Sequence, residues 1–381
     1  VAAVARLTIG IDASRAFDDR PTGTERYARA VIGRLLARSE HRLRLYTRTR
    51  PADPPAGAEL RVLPAPRLWT HTRLAAEVWR HRPDVLFVPA HVLPWRCRVP
   101  SVVTVHDLGH LAFPEAHSRR QRAYLGWSTR HHVRRATRLI ADSAATRDDL
   151  VRHYGADPGR IDVVYLGVEP EMRPASPAEV AALRRRLGWP AERRYLLHVG
   201  TLQPRKNLGR LVAAFAAIAS EEPDVELVLA GKRGWGREDP AALAGHLGVG
   251  TRVHLLGYVP RTELPALYGS ATAVVVPSLY EGFGLPVLEA LACGVPVAAS
   301  WGSSLPEVAG SAALYFDPLD VDELAGVLRR LLAEAPLRRR LSEAGPARAR
   351  EFTWERCAAA TQAVLERAAR AGRGGGRGRI P

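Results

Sequence analysis

Short apolar runs alternate with helical patterns along almost the whole chain, and no other feature constrains the fold as tightly. The first half holds "RLTIGIDA", "LRLYT", "DVLFVPA", "SVVTVHD", "RLIADS" and "IDVVYLG". The second repeats the style with "RYLLHVG", "VELVLAG", "RVHLLGYV", "TAVVVPS", "VPVAAS" and "AALYFD". Each is rich in Val, Leu and Ile and closes near Gly, Pro, Asp or Ser. Strands this uniformly apolar need cover on both faces, which predicts parallel sheets flanked by helices. The rhythm breaks once, over residues 171–193, where prolines and charges surround one helical pattern and no strand. A chain of 381 residues is long for one core. The fold class is therefore α/β, with two doubly wound, Rossmann-like parallel-sheet domains at 1–170 and 194–350 and a linker at 171–193. A helix over 351–370 follows, then a Gly/Arg-rich tail at 371–381 that reads as disordered.

Open α/β sheets bind ligands beyond the carboxyl ends of their strands, so the residues just after each strand carry the functional information. "HVGTLQPRKNLGRL" ends a strand at Val199, turns at Gly200 and Thr201, and enters a helix near Lys206 or Asn207. Arg205 and Lys206 stand at that helix start, where positive side chains oppose the helix dipole. Structure alone gives no reason to put them there; an anion such as a diphosphate does. Only two of the 55 cationic residues are lysines, Lys206 and Lys232, and both follow strands of the second half. A lysine offers a compact, movable charge where arginine offers a planar fork.

"SLYEGFGLPVLEALACGVPV" holds Glu281 before a turn made by Gly282, Phe283 and Gly284, with the next helix opening at Leu285 and Pro286. Glu289 lies inside that otherwise apolar helix, where a carboxylate is costly without partners. A ribose diol would supply two donors, and a buried structural hydrogen bond is the alternative.

First-half signals are weaker. His106 and Asp107 end the strand "SVVTV" and suit a polar contact or proton acceptor. His91 follows another strand. Gly23 precedes the first helix as a lone glycine, not a G-x-G-x-x-G motif, which argues against a dinucleotide fold. Asp320-Val-Asp322 reads as a helix N-cap and not as a metal site, and the three scattered cysteines show no metal or disulfide spacing. No metal and no cofactor is expected. The start of the chain reads as a buried strand and not as a signal peptide, and no run approaches the length of a membrane span.

These stretches together resemble the retaining glycosyltransferases of family 4, which have the GT-B fold. "HVGTLQPRKNL", "LVLAGKRGW", "SLYEGFGLPVLEALACGVPVAAS" and "FTWERCA" carry the resemblance, with "TVHDL" and "PTGTERYA" in the first half. The resemblance implies two domains facing one cleft, an acceptor-binding first domain and a second that holds a nucleotide diphosphate sugar as co-substrate, without metal. It implies Arg205 and Lys206 on the diphosphate, Glu289 on the ribose, and Glu281 with the backbone of Phe283–Leu285 on the donor sugar. His106 would contact the transferring sugar, Gly23 would let the backbone approach the phosphate, and the helix after Trp354 would return to the first domain. Many members carry an arginine where this chain has Thr201, so the resemblance implies that Arg205 would take over that role. The version of the motifs is similar to mannosyl- and rhamnosyltransferases of polysaccharide assembly. GDP-mannose is the first expectation for the donor, with UDP- and dTDP-sugars open.

A net charge of +16 favours an anionic partner. Residues 118–139 form a basic, helix-like stretch with Tyr124 and Trp127 interspersed. It reads either as a surface for an anionic membrane, bringing a glycan or lipid-linked acceptor, or as a solvated helix with its rings packed inward. The corresponding location is cytoplasmic, peripheral to the inner face of the plasma membrane. Two rival functions stand beside the transferase: a sugar-nucleotide epimerase or sugar phosphorylase of the same fold, and a nucleic-acid binder. The last lacks any recognisable binding module.

Overall fold

The structure is a computed structural model, describing residues 6–17, 23–65, 67–90, 92–114, 118–236 and 239–375. His91 lies outside the described residues, as does everything after Gly375. The chain forms two compact units. Among the described residues, one holds the chain up to Leu111, 118–167 and the chain from Trp354; the other spans Val168–Thr353 together with 112–114.

The first unit holds seven parallel strands: β1 (Thr8–Asp12), β2 (Arg42–Thr47), β3 (Glu59–Val62), β4 (Val85–Val88), β5 (Ser101–Val105), β6 (Arg138–Ala141) and β7 (Ile161–Val163). Their order is β3-β2-β1-β4-β5-β6-β7. The second unit holds β8 (Arg194–Val199), β9 (Val225–Ala230), β10 (Val253–Gly257), β11 (Ala273–Val276), β12 (Val297–Ser300) and β13 (Ala313–Phe316), in the order β10-β9-β8-β11-β12-β13. Both sheets are doubly wound, and each reverses direction once, between β1 and β4 and between β8 and β11. Central strands such as β4, "VLFV", and β11, "AVVV", are buried along their whole length, as cover on both faces requires. The one strand without an apolar run in the sequence is β3, "ELRV". It lies at the sheet edge, half-exposed, where pairing with β2 rather than burial defines it.

Two boundaries differ from the sequence expectation. The stretch 171–193 belongs to the second unit. Its helix, Pro177–Leu187, starts in a Ser176/Glu179 capping box and ends at Gly188 in the left-handed region. Arg173 grips Glu179 with both guanidinium nitrogens, at 2.8 and 3.1 Å. The closing helix, Trp354–Gly375, belongs to the first unit and runs five residues into the stretch read as tail. Trp354 is buried against Tyr27 of the helix Gly23–Arg38. Glu366 accepts from His41 at 3.1 Å, and Arg367 pairs with Asp162 at 2.8 Å. Asp320 accepts from the Asp322 and Glu323 backbone N–H groups at 2.9 Å each, the expected helix cap.

Candidate active site

In the second unit the sheet reverses between β8 and β11, the place where open α/β sheets form a ligand crevice. The loops leaving these two strands carry the cationic pair and the first acidic residue of the sequence motifs. Pro204–Lys206 forms one 3-10 turn, and the helix Leu208–Ile218 starts two residues later than Lys206. Between them Asn207 takes the left-handed conformation at φ 58°, which asparagine tolerates better than most residues. Its amide donates to the Pro277 and Pro318 carbonyl oxygens at 3.0 and 2.7 Å, pinning the turn to the loops after β11 and β13. The Leu279 N–H donates to the Arg205 carbonyl at 2.8 Å, so the two loops are joined by backbone as well.

This geometry brings Arg205, Lys206 and Glu281 together. Lys206 is buried, not solvent-facing, and its ammonium donates to Glu281 Oε1. Arg205 donates to Glu281 Oε2 at 2.7 Å and to the Tyr280 carbonyl at 2.9 Å. The Ser278 hydroxyl adds a bond of 2.6 Å to Oε1. Burial alone would raise the Glu281 pKa; the two cations outweigh it and hold the carboxyl well below the usual range. The Glu281 N–H donates to the Ser303 hydroxyl at 2.8 Å, and the Ser304 hydroxyl sits between the Glu281 and Phe283 carbonyls at 3.0 and 2.8 Å. Ser278, Ser303 and Ser304 were not singled out from the sequence. Serines are too common to stand out, and only the fold brings the loop after β12 against the loop after β11.

Gly284 opens the helix Leu285–Ala292 at φ 105°, and a Cβ there would lie 2.6 Å from Leu305 Cδ2. Phe283 is buried edge-on against Phe352, with ring centres 5.9 Å apart. Glu289 is buried, with protein partners on both oxygens: the Tyr268 hydroxyl at 3.1 Å and Arg261 at 3.5 Å. Arg261 Nη1 and Nη2 are buried with no hydrogen-bond partner among the described residues.

Below Lys206 lies His198, fully buried on β8. Its Nδ1–H donates to the Val275 carbonyl at 3.0 Å, and Nε2 has no partner among the described residues. Burial and the Lys206 charge push its pKa down to about 4, so the ring is neutral. The Gly200–Leu202 turn is laced to the next strand end: Gly200 N–H bonds to Ala230, Leu202 N–H to Lys232 and Gly234 N–H to Leu202, each at 2.9 Å. A Cβ on Gly231 would fall 1.8 Å from the Gly200 carbonyl oxygen, so this approach requires glycine. Lys232 is exposed, with its ammonium 5.2 Å from the centre of the Tyr258 ring. It makes no bond to the Arg205–Lys206–Glu281 group among the described residues. Beside it is a cavity of ≈ 200 Å³ lined by Leu202, Arg233, Trp235, Pro240 and Leu255.

In the first unit His106 follows β5. Its Nδ1 faces Asp142 Oδ2 at 2.6 Å and its Nε2 faces the Pro89 carbonyl at 2.8 Å. Burial opposes a charge on the ring, but the Asp142 carboxylate outweighs it and raises the pKa. Asp142 was not anticipated from the sequence; it is supplied by the end of β6, the strand beside β5. The Tyr27 ring meets His106 edge-on at 4.9 Å. Asp107 is exposed and accepts from the Gly109 N–H at 2.9 Å. Gly23 is the first residue of its helix.

Comparison with known proteins agrees with this architecture. Residues 179–348 match the family "Glycosyl transferases group 1", and residues 21–172 match "Glycosyltransferase Family 4". O-antigen chain mannosyltransferase B of Escherichia coli is 36% identical over 298 residues, covering 76% of each chain. The chain belongs to glycosyltransferase family 4. Among solved structures, sucrose-phosphate synthase of Thermosynechococcus elongatus superposes with a TM-score of 0.77 at 25% identity, over 96% of this chain and 100% of the other. Anabaena HepE in complex with UDP and glucose does so at 0.74 and 21%, over 94% and 99%. The two sheets of this family 4 enzyme are thus those of the GT-B fold, and the protein is a glycosyltransferase. Among its described residues no helix is long and apolar enough to cross a membrane.

Proposed function

We propose that the protein is a metal-independent, retaining hexosyltransferase that moves mannose from a nucleotide diphosphate sugar to an acceptor hydroxyl in glycan assembly. One observation carries this reading: two cations are held on one buried carboxylate at the reversal point of the second sheet. A diphosphate arriving there would take over Arg205 and Lys206, and Glu281 would be released to accept hydrogen bonds from the donor sugar's hydroxyls. Lys206 suits the exchange because a compact ammonium on a flexible stem can turn from carboxylate to phosphate. Backbone N–H groups at Phe283–Leu285 would add to the sugar site. Glu289 with Arg261 would take the ribose, and the cavity beside Lys232 is of a size for part of the base. In the first unit the proposal is narrower: His106 contacts the transferring sugar, and the backbone at Gly23 approaches the phosphate.

In the transfer, the bond from C1 to the diphosphate oxygen breaks and a bond from C1 to the acceptor oxygen forms on the same face. The acceptor's proton passes to the departing diphosphate. Preorganised cations stabilise the charge that grows on the leaving group, and no protein nucleophile is assigned. The E. coli relative's name supports mannose; the HepE complex supports a nucleotide-sugar donor, with UDP and dTDP as alternatives to GDP. The acceptor is a glycan or lipid-linked sugar, and the site of action is the cytoplasmic face of a membrane.

A thermal-shift series with GDP, UDP, dTDP and ADP tests the donor site, since a bound ligand raises the melting temperature by mass action. Incubation with the preferred sugar nucleotide then distinguishes transfer from epimerisation, which changes the sugar without any acceptor. No shift with any nucleotide would sink the proposal.

A further inference from the structure

The basic helix Arg119–Arg135 turns its aromatic residues outward. It buries Ser128, Thr129, His132 and Val133, and leaves Tyr124 and Trp127 45% and 39% exposed. Arg120, Tyr124, Trp127, Arg130 and Arg134 follow the i, i+4, i+7 spacing of one helical face and all are exposed. The alternative in which the rings pack inward is therefore not what the fold adopts.

The face continues onto neighbouring segments that the sequence alone did not connect to it. Trp95, 55% exposed, meets Trp127 edge-on at 5.9 Å. His71 stacks on Trp95 at 4.4 Å, and His131 on Trp127 at 5.3 Å. Backbone ties hold the rings in place: the Leu93 N–H donates to His132, and His131 Nε2 lies 3.3 Å from the Pro94 carbonyl. Such an exposed apolar cluster is costly in water without a partner.

Around it stand exposed arginines. Arg73 is close in sequence to His71, Arg96 and Arg98 adjoin Trp95, and Arg119, Arg120, Arg134 and Arg135 lie on the helix. The helix has no Asp or Glu. None of these seven arginines makes an ion pair among the described residues. Elsewhere the chain pairs exposed arginines readily, as in Arg173–Glu179 and Arg329–Glu221. Rings with polar edges beside unpaired cations match the interfacial zone of a bilayer whose headgroups are anionic. A glycan platform would want free carboxylate or amide acceptors beside the rings; the helix has no carboxylate, and its one amide, Gln121, is engaged with the Ser118 cap.

We infer that Trp95, Tyr124 and Trp127, with the surrounding arginines, form a surface that docks on an anionic lipid bilayer. This deepens the transferase reading by naming the surface on which a lipid-linked acceptor arrives.

The test is flotation of the full chain with phosphatidylcholine vesicles, with and without phosphatidylglycerol, at low and high salt. The expected result is flotation with the anionic vesicles only, lost at high salt as screening removes the attraction. The double variant W95S/W127S should lower binding about tenfold, the equivalent of one large side chain partly withdrawn from lipid. R120E/R134E should abolish it. Melting temperature reports the fold of each variant, and its shift by GDP or UDP reports the donor site. A failure of the transferase reading would thus leave the vesicle result interpretable. Equal flotation with neutral vesicles, unchanged flotation of both variants, or binding of RNA or mannan in place of vesicles would overturn the inference.

Discussion

The Lys206 ammonium donates to Glu281 Oε1 in a site where both side chains are buried. These residues are far apart in the chain and come from loops after β8 and β11. Removing Lys206 takes one of two cations from a buried carboxylate that keeps Arg205 and Ser278, which still costs more than the pair itself contributes. Lys206→Met should therefore destabilise the second unit by about 3 kcal/mol. Glu281→Gln in the same chain should restore part of that loss, with a coupling of about 2 kcal/mol in a double-mutant cycle. Urea denaturation of the four proteins measures it; strict additivity would mean that the two charges do not sense each other.

Lys206→Ala and Arg205→Ala should act on turnover more than on donor affinity. On the proposed reading the cations would meet charge that develops as the diphosphate departs, and loss of one such stabilising group costs about 10²–10³ in kcat. Steady-state kinetics with the preferred donor separate the two parameters. A raised KM at unchanged kcat would assign these residues to ground-state binding instead.

Gly231→Ala places a Cβ 1.8 Å from the Gly200 carbonyl oxygen, a backbone atom that cannot swing aside. The loops after β8 and β9 must then separate, at a cost of about 3 kcal/mol. Gly245→Ala is the control, since nothing lies within 4 Å of its added Cβ. Thermal melts should show a large drop for the first and almost none for the second.

His198 gives stability a dependence on acid. Its folded pKa is about 4, against an ordinary value of 6.5. Between these values the unfolded chain binds the proton and the folded chain does not, so stability falls as pH drops from 6.5 towards 4. The slope from this group approaches about 1.4 kcal/mol per pH unit. Denaturant titrations across that range, repeated with His198→Leu, should show a shallower fall in the variant.

Activity should survive a chelator. On the proposed reading, Arg205 and Lys206 would take the part on the diphosphate that a divalent metal plays where carboxylates line the site. Turnover in EDTA equal to that in buffer is expected, and loss restored by added Mg²⁺ would reverse the assignment.

Most of the strand plan could be read from the sequence because a strand covered on both faces writes itself as an apolar run. The edge strand β3 could not, since its definition is pairing and not burial. That Arg205, Lys206 and Glu281 follow strand ends could also be read from the sequence; that they meet in one buried cluster could not. Nor could their serine partners and Asp142, because a serine beside a glutamate or an aspartate beside a histidine is a relation in space.

Local pattern, then, was enough to determine two doubly wound sheets, the places where their strands end, and the cap at Asp320. Only the tertiary structure decided that Lys206 is buried on Glu281, that His106 is held between Asp142 and Pro89, and that Tyr124 and Trp127 face outward. Periodicity records which residues a single element can bury. Which charge meets which depends on strand order, and strand order is set by packing that no single segment contains.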